Sequence, residues 1–288
     1  MDRRSSKTAR QSRLAWLLAT LSAVLSLAFA SELWASDDEP LESPWLRTTP
    51  QLTGDWSGLR PQLAQRGFTL QADNTSFAIG NPTGGARQAF DFGGHGDYVL
   101  TTDFGKLGVH DGLYLKVRAE HRYGETIVSD VGCFISPTLI ADLPVYGSEQ
   151  LYLTNVLLTQ MVGDSLALYA GKMDTLDGDL NAFAHGRGKT QFSNMAFVFN
   201  PIVGATVPYS TLGAGFMILR DGAPMLTVSV LNSTDTSNTS GFQELFNNGL
   251  LLSASLRVPT KLWDLPGHQL LGATWNNQLY TSIRESYI

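Results

Sequence analysis

Cysteine is nearly absent: Cys133 is the single one in 288 residues. That excludes an intrachain disulfide framework and a zinc site built on thiolates. Charge is also sparse, at 16% of residues, against about 25% in ordinary soluble proteins. After residue 30 no apolar run is long enough for a membrane-spanning helix. The five histidines, His95, His110, His121, His185 and His268, show no H-E-x-x-H or similar ligand spacing. No G-x-S-x-G elbow, phosphate-binding loop or dinucleotide fingerprint occurs. The acidic stretch "DTLDGD" lacks the spacing of a calcium loop and reads as a turn. The expectation is a non-enzyme without metal or cofactor.

The first thirty residues are an exception to the sparse charge. Arg3, Arg4, Lys7, Arg10 and Arg13 precede an apolar stretch, and Ala28-Phe29-Ala30 fits a cleavage site. Residues 1–30 therefore read as a signal peptide for export. Their removal takes away five basic residues and one acid, leaving 15 basic against 25 acidic side chains. That balance argues against a nucleic-acid partner. Residues 31–57 form an acidic, Pro-containing leader on the periplasmic side, and residues 58–66 a short helix. Pro61 suits its first turn, and Gly67 the position just past its end.

From residue 67 the period changes to two. In "LYLKVRAEHRYG", Leu113, Leu115, Val117 and Ala119 alternate with Lys116, Arg118, Glu120 and Arg122. A strand sends alternate side chains to opposite faces. One face is therefore apolar and the other carries a charged row. The same alternation appears at Phe68, Leu70 and Ala72 against Thr69, Gln71 and Asp73. It returns at Leu252, Ala254 and Leu256 against Ser253, Ser255 and Arg257. We count about nine such strands, an odd number where bacterial single-chain barrels carry an even one. The tract "NSTDTSNTSG" reads as an exposed loop, and residues 175–208 as a long loop without period.

Many alternating segments, a signal peptide and no apolar helix point to an all-β transmembrane antiparallel barrel. A closed barrel is the one way for strands to pair every backbone group in lipid. Apolar faces would meet outer-membrane lipid, and the charged row would keep its water in a lumen. The alternative is a secreted or outer-membrane β-protein that binds glycans without forming a channel.

Three segments carry a resemblance. "LTGDWSGLRPQLAQRGF" is similar to the opening of the carbohydrate-selective porins, with Gly54, Asp55, Trp56, Gly58, Arg60, Leu63 and Gly67 on the pattern and Ser57 in place of a glycine. "RAEHRYGE" resembles their charged third strand. "YAGKMDTLDGDLNAFAHGRGKTQFSNMAFVFNP" resembles their block of strand and following loop. The resemblance implies a barrel of the 16-stranded porin type, with residues 67–288 as a partial barrel that is incomplete at its C-terminus. It implies passive diffusion of monosaccharides such as glucose across the outer membrane. The expected constriction residues are Arg118, Glu120 and Arg122, with Lys116 nearer the rim, Lys172 and Asp174 before the long loop, and Arg257 on the later strand. The expected partners are carbohydrate solutes and lipid, and homo-oligomerisation is left open.

Overall fold

The computed structural model describes residues 51–176, 186–204 and 206–279. The signal peptide, most of the leader and the last residues lie outside them. A short helix, α1 (Leu59–Gln65), comes first. Gly67, at φ +94°, turns the chain out of it, and a Cβ there would stand 2.6 Å from the Asp103 carbonyl oxygen.

Nine strands follow: β1 (Phe68–Asn81), β2 (Ala89–Asp103), β3 (Leu113–Gly124), β4 (Tyr152–Val162), β5 (Leu166–Asp174), β6 (Ser210–Arg220), β7 (Ala223–Asn232), β8 (Leu250–Leu262) and β9 (Leu265–Asn276). They form one sheet in sequence order. Every neighbouring pair is antiparallel. The sheet is unclosed: among the described residues β1 and β9 each have one strand neighbour. Among the described residues no helix is long and apolar enough to cross a membrane.

The register turns the period-two pattern into two surfaces. One row runs from Phe68 through Leu115, Leu158, Val230 and Leu252 to Trp275. Leu158, Val230, Leu252 and Trp275 in it are exposed apolar side chains. A row on the opposite face runs through Tyr114, Thr159, Tyr169, Ser229, Ser253 and Thr274. The outer row is greasy and the inner one polar, as a wet barrel requires.

Connections alternate in length. Turns at 163–165, 221–222 and 263–264 are tight. In the last two, Asp221, Gly222, Trp263 and Asp264 all have positive φ, the geometry that matches the twist of a hairpin. Three connections at the other end are long: 125–151, 175–209 and 233–249. The first holds α2 (Val128–Val131) and α3 (Leu139–Asp142). The second holds a 3₁₀ turn, Gly186–Gly188, and the short helices α4 (Met195–Val198) and α5 (Pro201–Gly204).

These connections fold over the polar face. Leu139 N donates to Ser193 O at 3.0 Å and Met195 N to Ser136 O at 2.9 Å, so the first two are bonded to each other. Ile127, Leu139 and Ile140 are buried among them. Farther along the sheet Val207 packs on Tyr169, Met173, Leu231 and Leu251. The "NSTDTSNTSG" tract departs from the exposed loop expected of its polarity: Asn232, Ser233, Thr236 and Ser237 are buried.

Candidate functional site

The inner face of β1–β3 presents an electrostatic problem. Asp73 stands directly opposite Asp97, and Asp97 directly opposite Glu120. Like charges side by side destabilise a sheet. An isolated buried ion costs several kcal/mol. The remedy comes from two places: the neighbouring residue on β3's charged face, and the 186–190 turn.

The result is a chain of charges with alternating sign. Lys189 Nζ lies 2.9 Å from Asp73 Oδ1 and 2.9 Å from Asp97 Oδ2. Arg118 Nε lies 3.1 Å from Asp97 Oδ1, and its Nη1 2.5 Å from Asp174 Oδ2. Arg187 reaches Asp174 at 2.7 Å and Glu120 at 2.9 Å. Glu120 is fully buried and also accepts from the Tyr209 hydroxyl at 2.8 Å. Thr154 Oγ1 donates to its other oxygen. His95 Nε2 lies 3.2 Å from Glu120, and its Nδ1 3.0 Å from Leu143 O. Asp97, Asp174 and Glu120 therefore each touch two basic side chains.

Local backbone features aim these groups. A β-bulge in the β3–β4 ladder falls between Arg118 and Ala119. A bulge sets two residues against one and re-aims side chains. Thr154 and Asn155 are both buried beside the ladder there. At Arg187 the chain enters left-handed space, φ 55°, which turns consecutive cations toward one wall.

The sequence-predicted residues divide into three groups. Arg118, Glu120 and Asp174 meet in the ladder. Arg122 and Lys172 are buried elsewhere, each donating to backbone carbonyls that include those of an inward connection. Arg122 donates from Nε to Ala141 O at 2.8 Å and from Nη2 to Gly124 O at 2.8 Å. Lys172 Nζ donates to Thr236 O at 2.7 Å and Thr239 O at 2.6 Å. Lys116 and Arg257 are half-buried and outside both groups. Arg257 shares its face with Ser253 and Ser255, and its Nη2 lies 3.3 Å from His268 Nδ1 near the tight turns. The charged row on β3 was expected to keep its water. Instead Arg118, Glu120 and Arg122 are buried, because the connections cover them.

Sequence reading missed His95, Asp97, Arg187, Lys189 and Tyr209. Asp73 had been seen as polar-faced, with no role. In the first inward connection α3 carries Asp142, whose carboxyl is pushed above its ordinary range by burial, against hydrogen bonds from Ser136 and Thr126 and the charge of Arg122. Between the inward segments and the wall lies a cavity of about 480 Å³ lined by Leu139, Leu143, Met195, Phe199 and Tyr209 among others. His95, Asp97 and Glu120 bring ligand atoms within 4.8 Å of one another, a geometry open to a metal ion. Arg118, Arg187 and Lys189 already neutralise those carboxylates.

An antiparallel sheet with an apolar outer row, a polar inner row and long connections folded against the inner face defines the class of transmembrane β-barrels of the porin type. More particularly, the model of the carbohydrate-selective porins, OprB family, matches residues 87–287, and the chain belongs to that family. Among solved structures, the high-pH structure of Pseudomonas putida OprB is similar over 80% of this chain and 57% of that one, with a TM-score of 0.65 and 21% identity. The low-pH structure of Pseudomonas putida OprB covers 78% of this chain and 60% of that one, with a TM-score of 0.46 and 17% identity. No curated protein matches. The chain thus spans 57% of the length of the first structure, and that likeness speaks to the fold.

Proposed function

We propose that this chain is exported by its signal peptide and builds the wall of an outer-membrane channel for passive, selective diffusion of monosaccharides such as glucose. The observation that carries the reading is the sign-alternating ladder on the face opposite the apolar row. Sugars are neutral and rich in hydroxyls. The buried charges fix one another and hold the shape of the wall, and Asp73 at its water boundary offers a sugar hydroxyl an acceptor that replaces lost water without binding too tightly to release the solute. Arg118, Glu120 and Asp174 are the proposed constriction wall. Arg122 and Lys172 support it by holding the inward connections, and Lys116 and Arg257 line the path toward the tight-turn end. The apolar row meets lipid. The family supports the sugar-porin reading.

The test is single-channel conductance in planar bilayers with glucose titrated in. Channels that glucose blocks support the proposal. Arg118→Glu is expected to change both conductance and block. Glucose-insensitive channels, or a variant that behaves as the parent, would sink the assignment of this wall. A glycan-binding protein without a channel would bind sugar and pass no current.

A further inference from the structure

The row Asp73–Asp97–Glu120 spans three strands, and its cation at the β1 end, Lys189, comes from the 186–190 turn. Among the described residues Lys189 is the ion-pair partner shared by Asp73 and Asp97, with contacts of 2.9 and 3.2 Å to Asp73 and 2.9 Å to Asp97. Exposure along this contact is uneven. The Lys189 side chain is 8% exposed and that of Asp97 3%, but that of Asp73 is 55%. The Arg187 end is buried throughout, with Glu120 and Asp174 at 0%. The 186–190 turn is therefore anchored dry at one end and clasped at the water boundary at the other.

We propose that Lys189 is a positioning residue whose clasp on Asp73 and Asp97 sets how far the 186–200 segment stands over the solute path. This rests on the channel reading. Lys189 touches wall carboxylates and acts on the solute through the segment that it holds. The opposed carboxylates make the clasp more than packing. Without the ammonium, Asp73 and Asp97 repel across the β1–β2 pair, one of them in a buried setting. With Asp73 neutralised instead, the Lys189–Asp97 pair survives. The two changes are therefore not additive: Asp73→Asn should hurt little alone and should partly repair Lys189→Gln.

Trypsin reads the clasp directly, because Arg187 and Lys189 are themselves cleavage sites held within the wall. The probe is the full chain folded in detergent micelles, with cleavage after Arg187 followed by mass. Cleavage of a transiently opened site tracks its open population. Lys189→Gln is expected to be cut at least about tenfold faster than the parent, Asp73→Asn less than about threefold faster, and the double variant in between. Equal rates in all four, or a double variant cut faster than Lys189→Gln, overturn the clasp. The same four proteins then go into bilayers with glucose. Higher conductance and weaker block in Lys189→Gln, reversed in part in the double variant, support the positioning role. Changed cleavage with unchanged conductance and block overturns it and leaves the channel reading standing. A parent without glucose-blocked channels overturns the channel reading and the positioning role together, while the cleavage pattern still decides the clasp.

Discussion

Arg118 lies between Asp97 and Asp174, both of them buried. Replacing it with Met keeps much of its volume and removes one counter-ion from each acid. Losing one partner of a buried pair costs about 3–5 kcal/mol. Here Lys189 and Arg187 remain on the two acids, so the lower end of that range is expected, measured by urea unfolding in micelles. Glu120→Gln keeps the shape but loses the charge beside Arg187 and turns one of two accepting oxygens into a donor NH2, and about 2 kcal/mol is expected, in the range for hydrogen bonds to charged groups. Arg118 and Glu120 were put on one face by alternation, and Asp174 was singled out through the resemblance of the block that holds Gly171, Lys172 and Asp174. His95 and Asp97 were not singled out. They lie in the first part of β2, which begins at Ala89. Gly93, Gly94 and Gly96 hid its start. Their missing side chains are replaced from across the sheet: a Cβ on Gly94 or Gly96 would collide with the Tyr123 or His121 ring. Aromatic cover of strand glycines is a device of non-local pairing, invisible in a local window.

The connections are the next level up, and each is held by buried cations. Arg122 holds the 125–151 connection through Ala141 O, Arg187 and Lys189 hold the 186–190 turn to the wall, and Lys172 holds 233–249 through Thr236 O and Thr239 O. Lys172→Met removes the last hold. Amides at 236–241 are then expected to exchange with solvent about tenfold faster, while those of β1–β3 keep their protection. Equal exchange throughout would show that the tract is held by its other bonds, such as Thr236 N to Ser210 O at 2.7 Å. Strand number and the tight turns at 163–165 and 221–222 could be read from period and turn residues, but the one at 263–264 could not. The inward course of the connections could not. A run such as "NSTDTSNTSG" looks solvent-loving by composition, but its carbonyls are the acceptors that a buried ammonium needs. Polarity in sequence does not say whether the partner is water or protein.

For the whole molecule, the apolar outer row demands a non-aqueous partner. Leu158, Val230, Leu252 and Trp275 are exposed together on one face, a patch of the kind that marks a membrane or protein contact. The chain is expected to fractionate with membranes, to need detergent, and to migrate faster in gels before boiling than after. A species that stays soluble without detergent and shows no heat-dependent shift would favour the glycan-binding alternative. The family assignment was legible before any coordinates because three motif blocks lie in one order along the chain. The unclosed sheet was foreseen too, as a partial barrel of about nine strands.

That count has a directional meaning. With all neighbours antiparallel, odd-numbered strands point one way and even-numbered strands the other. β1 and β9 therefore point the same way. They cannot be zipped together without a parallel seam, and two copies related by a twofold axis along the membrane normal would meet in parallel at both seams. Whatever chain completes an all-antiparallel ring on this sheet must contribute an odd number of strands.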